Sequence, residues 1–536
     1  MFAKFFTNKK IIEEESIGET HDDVERKEST TLTHDTELGE DSGEYSGEYS
    51  DVSSQHHKNF FDKFIDFANS LNAETKGIEP ITDEEKTNTS VFNTALLWFS
   101  ANLVLASYAL GALGPIAFGL NFGESILVIV FFNLLGIVTV SYFSVFGAEL
   151  GLRQMVLSRF LVGNLPARFF ALLNSIACVG WAVLNTVAAG QLLHMVNRHG
   201  HNIPVWAGCL VIMVSTVLVS FFGYRFIHLY EKWSWVPNFA VFLVIIARLK
   251  KSHEYKDTPW TSGPTTAGGV LSFGSVLYGF AAGWTTYASD YTVYMPRDTN
   301  KYKIFFYLTA GLSLPLIFTQ ILGSASGLAG LNNPEWLELY KENNIGGLTY
   351  AILVPNSLHG FGEFCCVVLA MSTIAINIPN MYTIGLSVQA FWEPLAKVPR
   401  IFWTICGSAA VVGICVPAYY YFIGFMENFM DSIGYYLAIY IAIALSEHLI
   451  YRRSFKNYNV DDWNRWDKLP IGIAGLLAIF ISAFGVALGM SQTYWTGEIA
   501  RRIGKEGGDI GFEMGFGWAF VAYNVFRPIE LKYIGR

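Results

Sequence analysis

The sequence predicts an all-α integral membrane protein built as a two-repeat secondary transporter, and three observations carry that expectation. Hydrophobic residues make up 52% of the 536 positions and charged residues only 15%, against about a quarter charged in soluble domains, and the mean hydropathy is +0.34. Apolar stretches of about twenty residues, long enough to cross a bilayer, recur from Thr94 to Arg527. Two of them are interrupted mid-span, by Gly111-Ala112-Leu113-Gly114-Pro115 in the first and by Gly279-Phe280-Ala281-Ala282-Gly283 in the sixth. A broken helix frees backbone N–H and C=O groups, which the membrane interior tolerates only where they meet protein, water or a solute. Corresponding breaks five spans apart therefore point to a solute site at mid-membrane.

Taken in order, residues 1–58 read as an acidic cytoplasmic tail, rich in Glu, Asp, Ser and Thr and too poor in large apolar residues to fold. The formal net charge of −9 belongs to this end, because residues 1–90 hold 22 acidic and 9 basic side chains and the remainder carries +4. Residues 59–93 form a cytoplasmic lead-in, where Phe60, Phe61, Phe64 and Phe67 recur at the spacing of a short amphipathic helix. Twelve spans follow, near 94–118, 125–147, 169–196, 204–223, 234–249, 268–293, 303–329, 361–390, 401–423, 427–450, 470–490 and 511–527. Ten of them, over 94–450, make the transport core; 451–527 adds two more helices and 528–536 a short cytoplasmic tail. An even number of spans puts both termini on one side. With that side inside, Lys plus Arg number 18 in the inner loops and carboxyl tail against 9 in the outer loops, as the positive-inside rule requires. The group Arg248, Lys250, Lys251 and Lys256 runs against the count. Lysines 4, 9, 10, 27, 58 and 63 offer ubiquitin sites on the tail.

The six cysteines all lie in apolar spans without metal-ligand spacing and read as small buried hydrophobes. No phosphate-cradling Gly-Lys-Ser/Thr loop, nucleophile elbow or zinc signature occurs, which argues against ATP-driven pumping and against an embedded enzyme. Neither cofactor, metal nor nucleic-acid partner is expected.

Polar residues inside spans are costly and therefore informative. Span three places Trp181 and Asn185 four residues apart on one helix face. An aromatic plane beside an amide suits a flat heteroaromatic ring, which needs a surface to stack on and a group offering both donor and acceptor; ordinary helix packing with an interhelical amide bond is the alternative. Span six puts Trp284 directly after the second break, so that two indoles can sandwich one ring. Span eight carries Asn377-Ile378-Pro379-Asn380, two amides around a residue that removes a backbone donor; a simple kink is the alternative there. Glu149, Asp290 and Asp431 are the membrane carboxylates open to a coupling proton, and each also suits a loop-anchoring charge.

Four stretches, Leu71-Asn72-Ala73-Glu74-Thr75-Lys76-Gly77-Ile78-Glu79-Pro80, Gly147-Ala148-Glu149-Leu150-Gly151-Leu152-Arg153-Gln154, Tyr230-Glu231-Lys232-Trp233-Ser234-Trp235-Val236-Pro237-Asn238 and Asn377-Ile378-Pro379-Asn380, resemble the fungal purine-cytosine permeases. That family belongs to the nucleobase-cation-symport-1 transporters, and the resemblance runs from about Phe64 to the carboxyl end. It implies the five-plus-five inverted-repeat fold of sodium-coupled amino-acid transporters, followed by two extra helices. It further implies proton symport of cytosine, adenine, guanine or hypoxanthine across the plasma membrane. By the same resemblance Trp181 and Trp284 stack on the base, Asn185, Asn380 and the Asn377–Pro379 turn contact it, and Ser107 lies near the site.

One position departs from the family pattern Asn-Asn-Ile-Pro-Asn: Ile376 stands where the first amide is expected. Losing a buried hydrogen bond there costs on the order of 1–3 kcal/mol, which predicts altered or weaker uptake of the usual bases. Two other readings fit the same residues: a vitamin B6-like heteroaromatic cargo, or a nutrient sensor that binds without transporting.

Overall fold

Helices are the only regular elements of more than one residue pair among the described residues, which in this computed structural model are 76–198, 200–201, 203–221, 230, 232–505 and 507–536. The acidic tail, the amphipathic stretch near 59–71 and the tail lysines lie outside them. The helices are α1 (Val91–Asn102), α2 (Leu105–Ile116), α3 (Phe122–Leu150), α4 (Gln154–Leu161), α5 (Asn164–Met195), α6 (Val205–Phe221) and α7 (Trp235–Ser252). They continue with α8 (Pro264–Ala282), α9 (Lys301–Asn332), α10 (Pro334–Leu353), α11 (Phe361–Phe391), α12 (Glu393–Ala396), α13 (Arg400–Tyr420), α14 (Phe422–Ser446), α15 (Ile473–Gly489) and α16 (Gly511–Ile534). Six of the described helices are long and apolar enough to cross a membrane, and the bent α1–α2 pair makes a seventh. Helix α10 fills what the sequence presented as a loop; its start is set by the Asn333 side chain, which accepts from the Glu335 and Trp336 N–H groups, and by Pro334 in the first turn.

Local chemistry explains the ends. Asn121 and Glu124 form a reciprocal capping box at the start of α3, with Glu124 N–H donating to Asn121 Oδ1 at 2.8 Å and Asn121 N–H to Glu124 Oε2 at 3.0 Å. Gly151 ends the same helix in the left-handed region, at φ 65°. Along α3 the outward side chains are Leu127, Phe131, Leu135 and Val138, while Asn133 is buried and donates to Gln320 Oε1 of α9 at 2.6 Å. Apolar outside and amide inside is the pattern of a helix solvated by lipid.

The first break does not fall where the glycines and proline suggested. The chain bends by 54° between α1 and α2, at Leu103-Val104, and Gly111, Gly114 and Pro115 all lie within α2. Side chains from two other helices hold this bend open: Ser372 Oγ of α11 accepts from the Leu105 N–H at 3.1 Å, and Asn238 Nδ2 of α7 donates to the Leu103 carbonyl at 3.2 Å. Gly111 serves close packing instead, since a Cβ there would overlap the Gln320 backbone of α9. Pro115 sits in the last turn of α2, which ends one residue later. The second break begins at Gly283; Gly279 lies within α8, and a Cβ on it would overlap the Met430 carbonyl of α14.

Candidate functional site

The second break gives the site its shape. Helix α8 ends at Ala282 with the Gly283 N–H turned back onto the Gly279 and Phe280 carbonyls, and two 3₁₀ turns, Gly283–Tyr287 and Ser289–Tyr291, carry the chain onward. This tighter winding brings Trp284 inward, 4% exposed. Its ring meets Trp98 edge-on at 4.9 Å and Tyr287 at 5.4 Å. Its Nε1–H donates to Asn102 Oδ1 at 3.3 Å. Asn102 is the last residue of α1, so one hydrogen bond joins the two breaks.

Trp181 of α5 stands edge-to-face against Phe280 of α8, at 5.4 Å and 79°, and against Phe429 of α14, at 5.3 Å and 83°. Trp181 and Trp284 line one cavity of about 10 Å³, closed by Phe280, Tyr287, Ile376 and Asn380. Gly283 lets the indole in, because a Cβ there would lie 2.7 Å from Trp181 Cζ2. A second cavity of about 10 Å³ adjoins, with Asn185, Leu184 and Met430 in its wall, and Phe280 borders both. Phe280 is therefore the partition between them.

The amides form two separate sets. Asn380 Oδ1 accepts from the Tyr287 hydroxyl at 3.1 Å, and its Nδ2 donates to the Ile376 carbonyl at 3.1 Å, which fixes it at the edge of the tryptophan cavity. Pro379 leaves α11 continuous while withholding one backbone donor. Asn377 turns the other way: its Oδ1 accepts from Asn185 Nδ2 at 3.0 Å, and its Nδ2 donates to Thr186 Oγ1 at 3.1 Å. Trp181 and Asn185 thus share a helix but open onto different cavities. Ser107 is buried in α2 with no hydrogen-bond partner for its Oγ, and it lines neither cavity.

Each of the three carboxylates has a partner that the sequence did not reveal. Glu149 pairs with Lys301 at 2.9 Å. Asp290 accepts from the Gln154 N–H at 2.7 Å through its carboxylate, at the start of α4, while its carbonyl accepts from Arg153 Nη1 at 2.9 Å. Asp431 accepts from Gln492 Nε2 at 2.7 Å. On the same face as Glu149, the lead-in before α1 docks through Ile81 N–H to the Gly151 carbonyl at 2.9 Å, Asn88 N–H to the Tyr294 carbonyl at 2.9 Å, and Lys86 Nζ to the Ala148 carbonyl at 3.0 Å. Within that lead-in, the hydrogen bond from Lys76, and after it the Thr82 backbone N–H, pull the Glu85 carboxyl down to about 2.

Sequence reasoning missed Phe280, Tyr287 and Asn102. Phe280 lies within the quoted break, on the last turn of α8, and Tyr287 three residues past Trp284, where its direction depends on the 3₁₀ winding. Asn102 had a signal, an amide inside an apolar span.

A bundle of membrane-length helices with an aromatic chamber at its broken helices has the architecture of a membrane transporter. A sequence profile described as "permease for cytosine/purines, uracil, thiamine, allantoin" matches residues 80–497, and the chain belongs to that family. It is 68% identical over 474 residues to the purine-cytosine permease FCY2 of Saccharomyces cerevisiae, covering 88% of this chain and 89% of that one. It is 44% identical over 470 residues to the purine-cytosine permease fcyB of Emericella nidulans, covering 88% and 91%. Among solved structures it is similar to Mhp1, a nucleobase-cation-symport-1 family transporter in a closed conformation with bromovinylhydantoin bound, with a TM-score of 0.64 over 86% of this chain and 95% of that one. At 13% identity that likeness speaks to the fold alone.

Proposed function

We propose that this chain is a plasma-membrane importer of nucleobases such as cytosine, adenine, guanine and hypoxanthine, driven by protons and working by alternating access. Its architecture in this reading is twelve spans, ten of them a five-plus-five inverted repeat, with both termini cytoplasmic. The observation that carries the substrate class is the convergence of Trp181 and Trp284 on one cavity edged by Asn380. A base offers two π faces and an edge of donors and acceptors, and that wall supplies rings for the faces and a carboxamide for the edge. Coupling demands reciprocity: protonation must change base affinity by the same factor as base changes proton affinity.

The test is uptake of radiolabelled cytosine by cells lacking their own permeases, with competition by purines, pyrimidines and vitamin B6-like compounds. An inward pH gradient drives accumulation, a protonophore abolishes it, and purines compete. Binding without accumulation would identify a sensor instead, and uptake that follows sodium and ignores the protonophore would remove the proton from the scheme.

A further inference from the structure

Two carboxylates share a buried site between α14, the start of α16 and the segment between α15 and α16. Asp509 is fully buried and accepts from the Ser491 N–H at 2.7 Å, the Gly511 N–H at 2.9 Å, Gln492 Nε2 at 3.1 Å, Ser275 Oγ at 3.3 Å and the Tyr435 hydroxyl. Asp431 is 5% exposed; its Oδ2 accepts from the same Gln492 amide, and its Oδ1 is buried with no hydrogen-bond partner. The two are unequal. Five donors reach Asp509, whereas the Gln492 amide that the two carboxyls share is the one hydrogen bond Asp431 accepts and its other oxygen is bare, so of the two Asp431 is the better placed to hold a proton.

The surroundings offer no positive charge to relieve the pair. The titratable neighbours are acids and a phenol: Glu427 on α14 faces Asp431, Glu513 on α16 faces Asp509, and the Tyr278 phenol of α8 lies beside Glu513. Arg501 and Arg502 in the nearby loop pair with Glu498 at the surface, and no Lys or Arg bonds either carboxylate among the described residues.

The site is also wired to the aromatic chamber by three consecutive residues of α14. Phe429 packs edge-on against Trp181, Met430 abuts Gly279 of α8 through its carbonyl, and Asp431 follows. Helix α8 holds Asp509 from its other side, through Ser275 and through Ser272 Oγ, which accepts from the Asp509 N–H at 3.0 Å, and then runs on to Phe280 and Trp284. Any shift of α8 against α14 changes the chamber and the donors around the pair together.

We infer that the Asp431–Asp509 pair is the proton-binding site of the transport cycle, loading from the outer face, where the proposed topology puts the α15–α16 segment, and coupled to the base through α8 and α14. This rests on the proton-coupled reading above. The test compares wild type, Asp431→Asn and Tyr435→Phe at matched surface amounts, measuring cytosine accumulation against pH with and without a protonophore, and exchange of external label for preloaded cytosine. Asp431→Asn is expected to lose accumulation at least ten-fold while exchange stays within about two-fold, because exchange needs no net proton movement. Tyr435→Phe removes one donor from the Asp509 carboxylate, which favours the protonated pair and shifts the uptake profile about one pH unit toward alkaline. Wild-type uptake that ignores the protonophore overturns the coupling reading and this site with it. With wild type sensitive, an Asp431→Asn protein that accumulates normally, or that loses exchange as well, overturns the site alone. If Asp431→Asn does not reach the surface, an unshifted Tyr435→Phe profile overturns it.

Discussion

Ile376→Asn is the sharpest perturbation the site allows. The Ile376 side chain is 1% exposed and forms part of the wall between Trp181, Trp284 and Asn380. Asn380 already commits one N–H to the Ile376 carbonyl and one lone pair to Tyr287, so it has a single donor and a single acceptor position left for a solute. A base whose edge extends past Asn380 meets the sec-butyl group of Ile376, and a polar atom buried there unpaired costs about 1–3 kcal/mol, or roughly five- to a hundred-and-fifty-fold in affinity. The variant should recover that factor as a lower KM for cytosine or a purine. Without substrate, the new amide faces apolar walls and lowers thermal stability by a similar amount, so added base should raise Tm more in the variant than in wild type. The assay is labelled-base uptake in a permease-null strain, with surface protein quantified by a fluorescent fusion, and a melting series on purified protein. A wild-type KM equal to that of the 68%-identical relative, unchanged by the substitution, would refute the reasoning.

Removing either indole, by Trp181→Ala or Trp284→Ala, deletes one stacking face worth about 1–3 kcal/mol and should raise KM five-fold or more; variants at the surface with unchanged uptake would end the two-indole site. Gly279→Ala sets a Cβ against the Met430 backbone, which cannot rotate away, so Tm should fall by the equivalent of about 1–3 kcal/mol, whereas Gly413→Ala, facing open space, should not move it. Phe280→Ala opens the partition between the two cavities, costs about 3–5 kcal/mol of stability, and should admit bulkier substituted purines; selectivity identical to wild type contradicts the partition. In the lead-in, Glu85 is depressed, so the stabilisation from Lys76 and Thr82 is full above about 4.5 and is lost as pH falls through about 2. With the carboxylate 40% exposed, solvent screening holds this to about 0.5–1 kcal/mol, and Glu85→Gln should flatten that part of the melting-versus-pH curve.

Much of the bundle was legible because lipid enforces one rule everywhere: long apolar runs must be helices. The positions of tryptophans and amides were legible for the same reason, since a polar or aromatic residue inside such a run stands out. The first break was misread. Glycine and proline mark where a helix can yield, but this one yields where Ser372 and Asn238 offer substitute hydrogen bonds, and those residues lie 269 and 135 positions away from Leu103 in the chain. Gly111 and Gly279 instead record close helix crossings, a use of glycine that looks identical in sequence. The pairing of Asp431 with Asp509 through Gln492 was illegible for a related reason, because carboxylates 78 residues apart share no local pattern.

The chamber's size bears on how such a site works. Each of its two compartments holds about 10 Å³, room for about one water, whereas sites for small organic ligands run on the order of 300–1,000 Å³. A base therefore enters only as walls separate. Trp181 and Asn380 are carried by the long continuous helices α5 and α11, and the opposite walls by the end of α8 and the 3₁₀ turn that follows it. Displacing Trp284 strains its hydrogen bond to Asn102 and so reaches the α1–α2 bend; displacing Phe280 shifts α8, through Gly279, against Met430 of α14 and the carboxylate pair. Both breaks and the acidic pair are thus mechanically tied to the space proposed for the base, which is the physical requirement for occupancy of that space to control which side of the molecule opens.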